Sequence, residues 1–166
     1  MVETRRADVG LAQGVSRVSG GIVLAGGVLS ALAYWLLPVA TVPLVGSVTA
    51  PGLTGQTSGS DTFGLLRLVP WTVALTILAG AWLLARSTGR GRLIAALGSL
   101  LCAVLTVIAY LAPLGKVDQA LDSVGADSLG IQATSPTGAG FWVALIGAVV
   151  AGVGAVVELA TARSRR

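Results

Sequence analysis

A chain of 166 residues that is 54% hydrophobic and only 11% charged has too few charges to coat a water-soluble globule, whose charged share is about a quarter. Its formal charge of +4 comes from basic residues that flank apolar stretches instead of gathering on one face among aromatic or polar readers. That distribution argues against nucleic acid as a partner and points to a lipid bilayer and its headgroups. Histidine is absent and cysteine occurs once, so the commonest general base and metal ligand is missing and no intrachain disulfide can form.

Residues 1–17, with Arg5, Arg6 and Arg17, read as a basic cytoplasmic N-terminal segment. Crossing about 30 Å of hydrocarbon takes about 20 helical residues. The first stretch that qualifies covers about 18–37. The arginines before it and Ala31-Leu32-Ala33 within it imitate a secretory signal with a small-residue cleavage site. The apolar run nevertheless continues through Tyr34, Trp35, Leu36 and Leu37, long enough to stay as an anchor, so its retention is expected. Residues 38–64 follow, rich in Thr, Ser, Gly and Pro with Val42, Leu44, Val48 and Leu53 scattered among them. That composition predicts an outer loop with room for a short hairpin.

The second span covers about 65–85, and Arg67 lies near its outer end, four residues before Trp71 on the same helical side. Stacking on Trp71, an ion pair with Asp61 or a loop aspartate, or capture of an anionic ligand would each account for a cation there. A short inner connection, Arg86 to Arg92, leads to the third span at about 93–114, which contains Cys102 as a small buried hydrophobe. In that connection Gly89-Arg90-Gly91-Arg92 lacks the Lys-Ser/Thr of a phosphate loop and reads as a tight turn.

The second outer loop, 115–139, begins with Val117, Ala120, Leu121 and Val124 at the spacing of one helical face. Asp118 and Asp122 fall off that stripe, so an amphipathic helix lying on the outer surface is expected. With Asp127 these acids do not have the spacing of a calcium-binding EF-hand loop.

The fourth span covers about 140–162 and carries small residues at four-residue spacing, Ala144, Ala148 and Gly152 on one line and Gly147, Ala151 and Ala155 on the next. Such a helix-packing interface lets another helix approach closely, either within the protein's own bundle or in a partner. Glu158 is the one acid inside an apolar span. Its depth predicts snorkelling, or pairing with Arg163 or an inner-loop arginine, with a proton-relay or partner-binding role as the functional alternative.

Nine of the eleven basic residues lie in three clusters, Arg5, Arg6 and Arg17, then Arg86, Arg90 and Arg92, then Arg163, Arg165 and Arg166. These occupy every second gap between the spans, the distribution of a multi-pass plasma-membrane protein with both termini in the cytoplasm. Tyr34, Trp35, Phe63, Trp71, Tyr110, Phe141 and Trp142 fall at the opposite ends, with only Trp82 at the inner boundary. Aromatic residues favour headgroup depth, so they agree with the arginines. The expected fold is therefore an all-α membrane bundle of four transmembrane helices in two like-oriented antiparallel hairpins. Ala33-Tyr34 then Pro38 against Ala109-Tyr110 then Pro113, and Trp71-Thr72-Val73-Ala74-Leu75 against Trp142-Val143-Ala144-Leu145, are consistent with duplication of one hairpin or with shared membrane constraints.

The four spans, the Pro after the aromatic end of span one, the Thr/Ser/Gly-rich outer loop and the Trp-led return helix together resemble small actinobacterial four-helix membrane proteins. Those encoded beside tryptophan-biosynthesis genes are one such group. An Arg-dominated basic complement and abundant Ala, Val, Gly and Leu suit a GC-rich genome of that type. The topology is also that of claudins, but the first outer loop lacks their paired cysteines. The resemblance implies location and fold and no mechanism.

No Ser, Cys or Asp has a visible base partner, so no enzymatic activity and no cofactor are expected. The expected function is that of an accessory, scaffold or envelope-organising subunit that binds another membrane protein or further copies of itself. The alternative is a small transporter or channel component working as an oligomer, lined by Ser30, Thr76, Ser99 and Thr106.

Overall fold

A computed structural model of the chain describes residues 2–42, 46–51, 61–85, 90–112 and 138–164. It is nearly all helical. Helix α1, Val2–Leu36, runs without a break from the basic N-terminal segment through the first apolar stretch. It stops where the sequence requires it, because Pro38 supplies no N–H and disfavours helical geometry at Leu37. Leu37 N still donates to Ala33 O at 3.3 Å, closing the last turn.

Strands β1, Pro38–Val42, and β2, Gly46–Thr49, then pair antiparallel, with Ala40 opposite Val48 and Val42 opposite Gly46. Valine and threonine favour this geometry because their branched side chains fit a pleated surface. A 3-10 helix, Asp61–Leu68, leads into α2, Val69–Ala85. Pro70 sits in the first turn of α2, where its missing N–H leaves no intrahelical bond unmade. Helix α3 spans Arg90–Leu111 and α4 spans Ala139–Ser164.

Four stretches are long and apolar enough to cross a membrane, Arg17–Leu36, Leu65–Ala85, Arg90–Leu111 and Ala139–Arg163. The third begins earlier than its hydrophobicity suggests. Arg90, Gly91 and Arg92 form the first turn of α3 instead of ending a tight turn, because a helix continued through them buries Arg92 against a partner. Gly89, the surface helix expected over 117–124, and Lys116, Asp118, Asp122 and Asp127 lie outside the described residues.

Helix α1 packs against α2 and α4, and α3 packs against the same two helices, so the four close into a ring. The distribution of side chains is the reverse of a water-soluble bundle. Trp71 and Ile94 are each 72% exposed, and Leu78, Leu101 and Val149 also face outward, while Ala33, Ala96, Ser99, Ala144 and Ala155 are buried. Lipid is as apolar as leucine, so burying large aliphatic side chains gains little there, and small residues that bring backbones together gain more.

The closest approach is between α1 and α4. A Cβ added at Gly26 would lie 2.5 Å from Ala151 N and Gly147 O, and one at Gly147 would lie 2.8 Å from Gly26 O and Ser30 N. Backbone cannot retreat from such contacts, so both positions require glycine. Two apolar clusters fill the ring. One joins Tyr34, Val39, Leu66, Val69, Tyr110 and Phe141 at the hairpin end, and a smaller one joins Val23, Leu83 and Ala155. The hairpin is tied in by Gly138 N, which donates to Val39 O at 2.7 Å.

Candidate functional site

Three polar side chains from three helices meet inside the bundle near the end that carries the arginines. Arg92 stands in the first turn of α3, Glu158 lies six residues before the end of α4, and Ser19 lies two residues after Arg17 on α1. Arg92 Nε donates to Glu158 Oε1 at 2.8 Å. Ser19 Oγ donates to Glu158 Oε2 at 2.5 Å. Ser19, Glu158 and Arg92 are 1%, 4% and 5% exposed, so both carboxylate oxygens are satisfied away from lipid and solvent.

The chemistry of this site follows from desolvation. An unpaired carboxylate or guanidinium in hydrocarbon is expensive, and each charge here lowers the cost of the other. Thr161 Oγ1 donates to Val157 O at 3.0 Å and Glu158 O at 2.9 Å, bracing the α4 turn that presents the carboxylate. Arg163 does not take part; it is exposed and lines a surface groove with Leu93, Leu97, Leu159 and Ala162. Depth alone makes Arg163 and Arg92 comparable partners for Glu158, and helical rotation selects between them.

Hydroxyls in the middle of the ring bond mostly to their own helices. Thr76 Oγ1 donates to Thr72 O at 2.8 Å and Thr106 Oγ1 to Cys102 O at 2.8 Å, the local back-bonding open to any helical threonine. Between helices, Thr72 Oγ1 and Thr106 Oγ1 lie 2.8 Å apart and Ser30 Oγ donates to Ala144 O at 3.2 Å. The cavity where Gly27, Ser30, Thr76, Thr106, Ala148 and Ala151 converge measures about 10 Å³. That is about the volume of one water-sized probe and makes a packing gap, not a conduit. Ser99 Oγ and Tyr110 Oη are buried with no hydrogen-bond partner among the described residues.

Along α4, Ala144, Ala148, Ala151 and Ala155 are at most 3% exposed. Gly147 meets Ser30 and Gly26 of α1, and Gly152 approaches Ala103 of α3. The small-residue lines are thus occupied by α1 and α3 within the same chain. Arg67 is exposed and has no ion-pair or ring partner among the described residues. Trp71, four residues on, points outward at 72% exposure.

The aromatic residues separate into two groups. Trp35 and Trp142 are exposed like Trp71, but Tyr34, Tyr110 and Phe141 are buried at 4%, 2% and 4%. Tyr110 and Phe141 meet edge to face, with centroids 5.9 Å apart and planes at 76°. Counting aromatics by depth could not distinguish a lipid-facing belt from a core plug, because both lie at the same height along the helices.

Ser19 and the Thr72–Thr106 contact carry no sequence signal beyond depth. Each partner lies at a similar distance from its own span end, which limits the choices without fixing one. Among the described residues no group of three His, Cys, Asp or Glu side chains converges as a metal site. The chain matches no family model, no curated protein and no solved structure.

Proposed function

We propose that this chain is a non-enzymatic multi-pass protein of the cell membrane, an accessory, scaffold or envelope-organising subunit that works by binding another membrane protein or further copies of itself. The carrying observation is where its interior polar groups are spent. Glu158 on α4 accepts from Arg92 on α3 and Ser19 on α1, and the mid-bundle threonines bond to helix backbone and to each other. A transporter keeps ionisable or polar groups facing a pathway at that depth. Here they fasten helices.

The arrangement in the membrane is part of the same reading. Gly20 meets Leu83 and Leu84 while Gly80 meets Leu24, so contacts that ascend α1 descend α2, which supports antiparallel hairpins. The arginine clusters at one end, with exposed Trp35, Trp71 and Trp142 at the other, support cytoplasmic termini. The likeness to small actinobacterial four-helix membrane proteins fits this architecture. Because α1 and α3 fill the small-residue lines of α4, the surfaces left for a partner are the outward faces of the helices and the outer loops around Arg67 and Lys116.

Three experiments test the reading. Photo-cross-linking residues placed at Trp71, facing outward, and at Ala148, facing the bundle, should capture one stoichiometric partner or a second copy only from the outward position. Purified chain in liposomes should conduct neither ions nor small solutes, and a conducting homo-oligomer overturns the scaffold in favour of the channel. For orientation, Ser58→Cys in a Cys102→Ala background should react with an impermeant thiol reagent from outside the cell. Labelling from the cytoplasmic side alone reverses the topology.

A further inference from the structure

A groove of about 350 Å³ opens on the outside of the bundle between α3 and α4, at the end carrying the arginines, and is lined by Leu93, Leu97, Leu159, Ala162 and Arg163. Its floor is aliphatic and its rim is basic. Arg90 precedes Leu93 by three residues and Leu97 by seven, so it continues the same stripe of α3 toward the helix end, and both Arg90 and Arg163 are exposed. The only acid on either helix is Glu158, which is turned into the bundle and held by Arg92 and Ser19. Burying that one pair removes the counter-charge that would otherwise neutralise the rim.

An apolar trough with the Arg163 guanidinium in its lining and Arg90 on the adjoining stripe of α3, in a helix pair long enough to cross a bilayer, matches one molecule in both its parts. We propose that this groove binds a phospholipid of net negative headgroup, one acyl chain lying along Leu93, Leu97 and Leu159 and the phosphate held between Arg163 and Arg90. Arginine suits the task because its planar fork donates in a bidentate manner to phosphate oxygens. Basic pockets between transmembrane helices are a known physical solution to headgroup binding. The site rests on α3 and α4 being membrane spans and does not depend on the scaffold role.

The test uses the full chain purified in mild detergent and native mass spectrometry, with phosphatidylglycerol and phosphatidylcholine of identical acyl chains as probes. A single phosphatidylglycerol adduct should form at lower lipid concentration than the phosphatidylcholine adduct. Arg163→Gln should weaken it about fivefold, the worth of one basic residue beside an anionic headgroup, and Arg90→Gln with Arg163→Gln about 25-fold. Phosphatidylcholine binding should weaken less in these variants, because its choline ammonium already offsets the phosphate charge that the arginines meet.

Leu97→Trp, which fills the trough at an exposed position and leaves the rim intact, should abolish both adducts. Equal binding of the two lipids, or phosphatidylglycerol binding insensitive to the arginine substitutions, overturns the proposal. So does displacement of phosphatidylglycerol by inorganic phosphate at millimolar concentration, which would make the rim a site for free anions. An alkaline carbonate wash that releases the chain from membranes would instead overturn the membrane reading, a failure distinct from that of the groove.

Discussion

At one end of the bundle Tyr34, Tyr110 and Phe141 occupy the space between helices, and at the other the same space holds Ser19, Arg92 and Glu158. The aromatic end is held by shape. Ring edges meet ring faces, and rotating one helix would exchange these contacts for other apolar ones at modest cost. The arginine end is held by matched charge, and any rotation that parts Arg92 from Glu158 leaves a bare ion in hydrocarbon. Lipid removes most of the hydrophobic drive that would strengthen the first kind of contact and raises the penalty for breaking the second. The difference suggests that the ionic end selects the register of the helices and the aromatic end fills the volume that register leaves.

The sharpest way to break this comparison is to remove half of the ion pair. Glu158→Ala leaves the Arg92 guanidinium buried without its carboxylate and should cost about 3–5 kcal/mol. Detergent-solubilised protein unfolded by titration with SDS would report the loss. Replacing both residues by leucine should recover most of that stability, because no charge is then stranded. If the single and double variants are equally unstable, the site holds the fold by its volume and not by its charge.

Truncation at the other end should cost less. Phe141→Ala removes a ring that is 4% exposed, a change worth about 3–5 kcal/mol in water-soluble cores. In a membrane the unfolded reference keeps the ring in hydrocarbon, so only the packing part of that cost remains. In the same titration its loss should fall below that of Glu158→Ala, and a larger loss would reverse the ranking of the two ends.

The smallest effect belongs between them. A double-mutant cycle with Thr72→Val and Thr106→Val should give a coupling of about 0.6 kcal/mol, the average found for hydrogen bonds between membrane helices. Each hydroxyl also has a carbonyl within reach, Val69 O for Thr72 and Cys102 O for Thr106, which limits what the partner adds. A coupling near that of the ion pair would place a third fastening point at mid-membrane.

Much of the architecture is legible in the sequence. Residues 18–37, 65–85, 93–114 and 140–162 were readable as spans because hydrocarbon demands long uncharged helices, and the four observed stretches depart from these bounds by at most three residues. Room for a short hairpin in the segment that begins at Pro38 is also readable, from its Thr, Ser, Gly and Pro content. Three features are not. The sequence offers Glu158 either Arg163 or an inner-loop arginine as its partner, and depth alone does not single out Arg92. Tyr34, Tyr110 and Phe141 read as part of an interfacial belt, because depth does not reveal rotation, and the structure buries all three. Ser19 carries no signal, since a serine near a span end is ordinary.

What the sequence determined by itself is the relation of the chain to its solvent. Length of apolar run, placement of arginine and absence of histidine are one-dimensional properties, and the bilayer responds to them along one dimension. What only the tertiary structure decided is the azimuth of each helix. Rotation about four axes chose Arg92 over Arg163 as the partner of Glu158, turned the small residues of α4 toward α1 and α3, and left Arg163 beside an open groove. Those outcomes depend on the simultaneous fit of all four helices, which no single segment encodes.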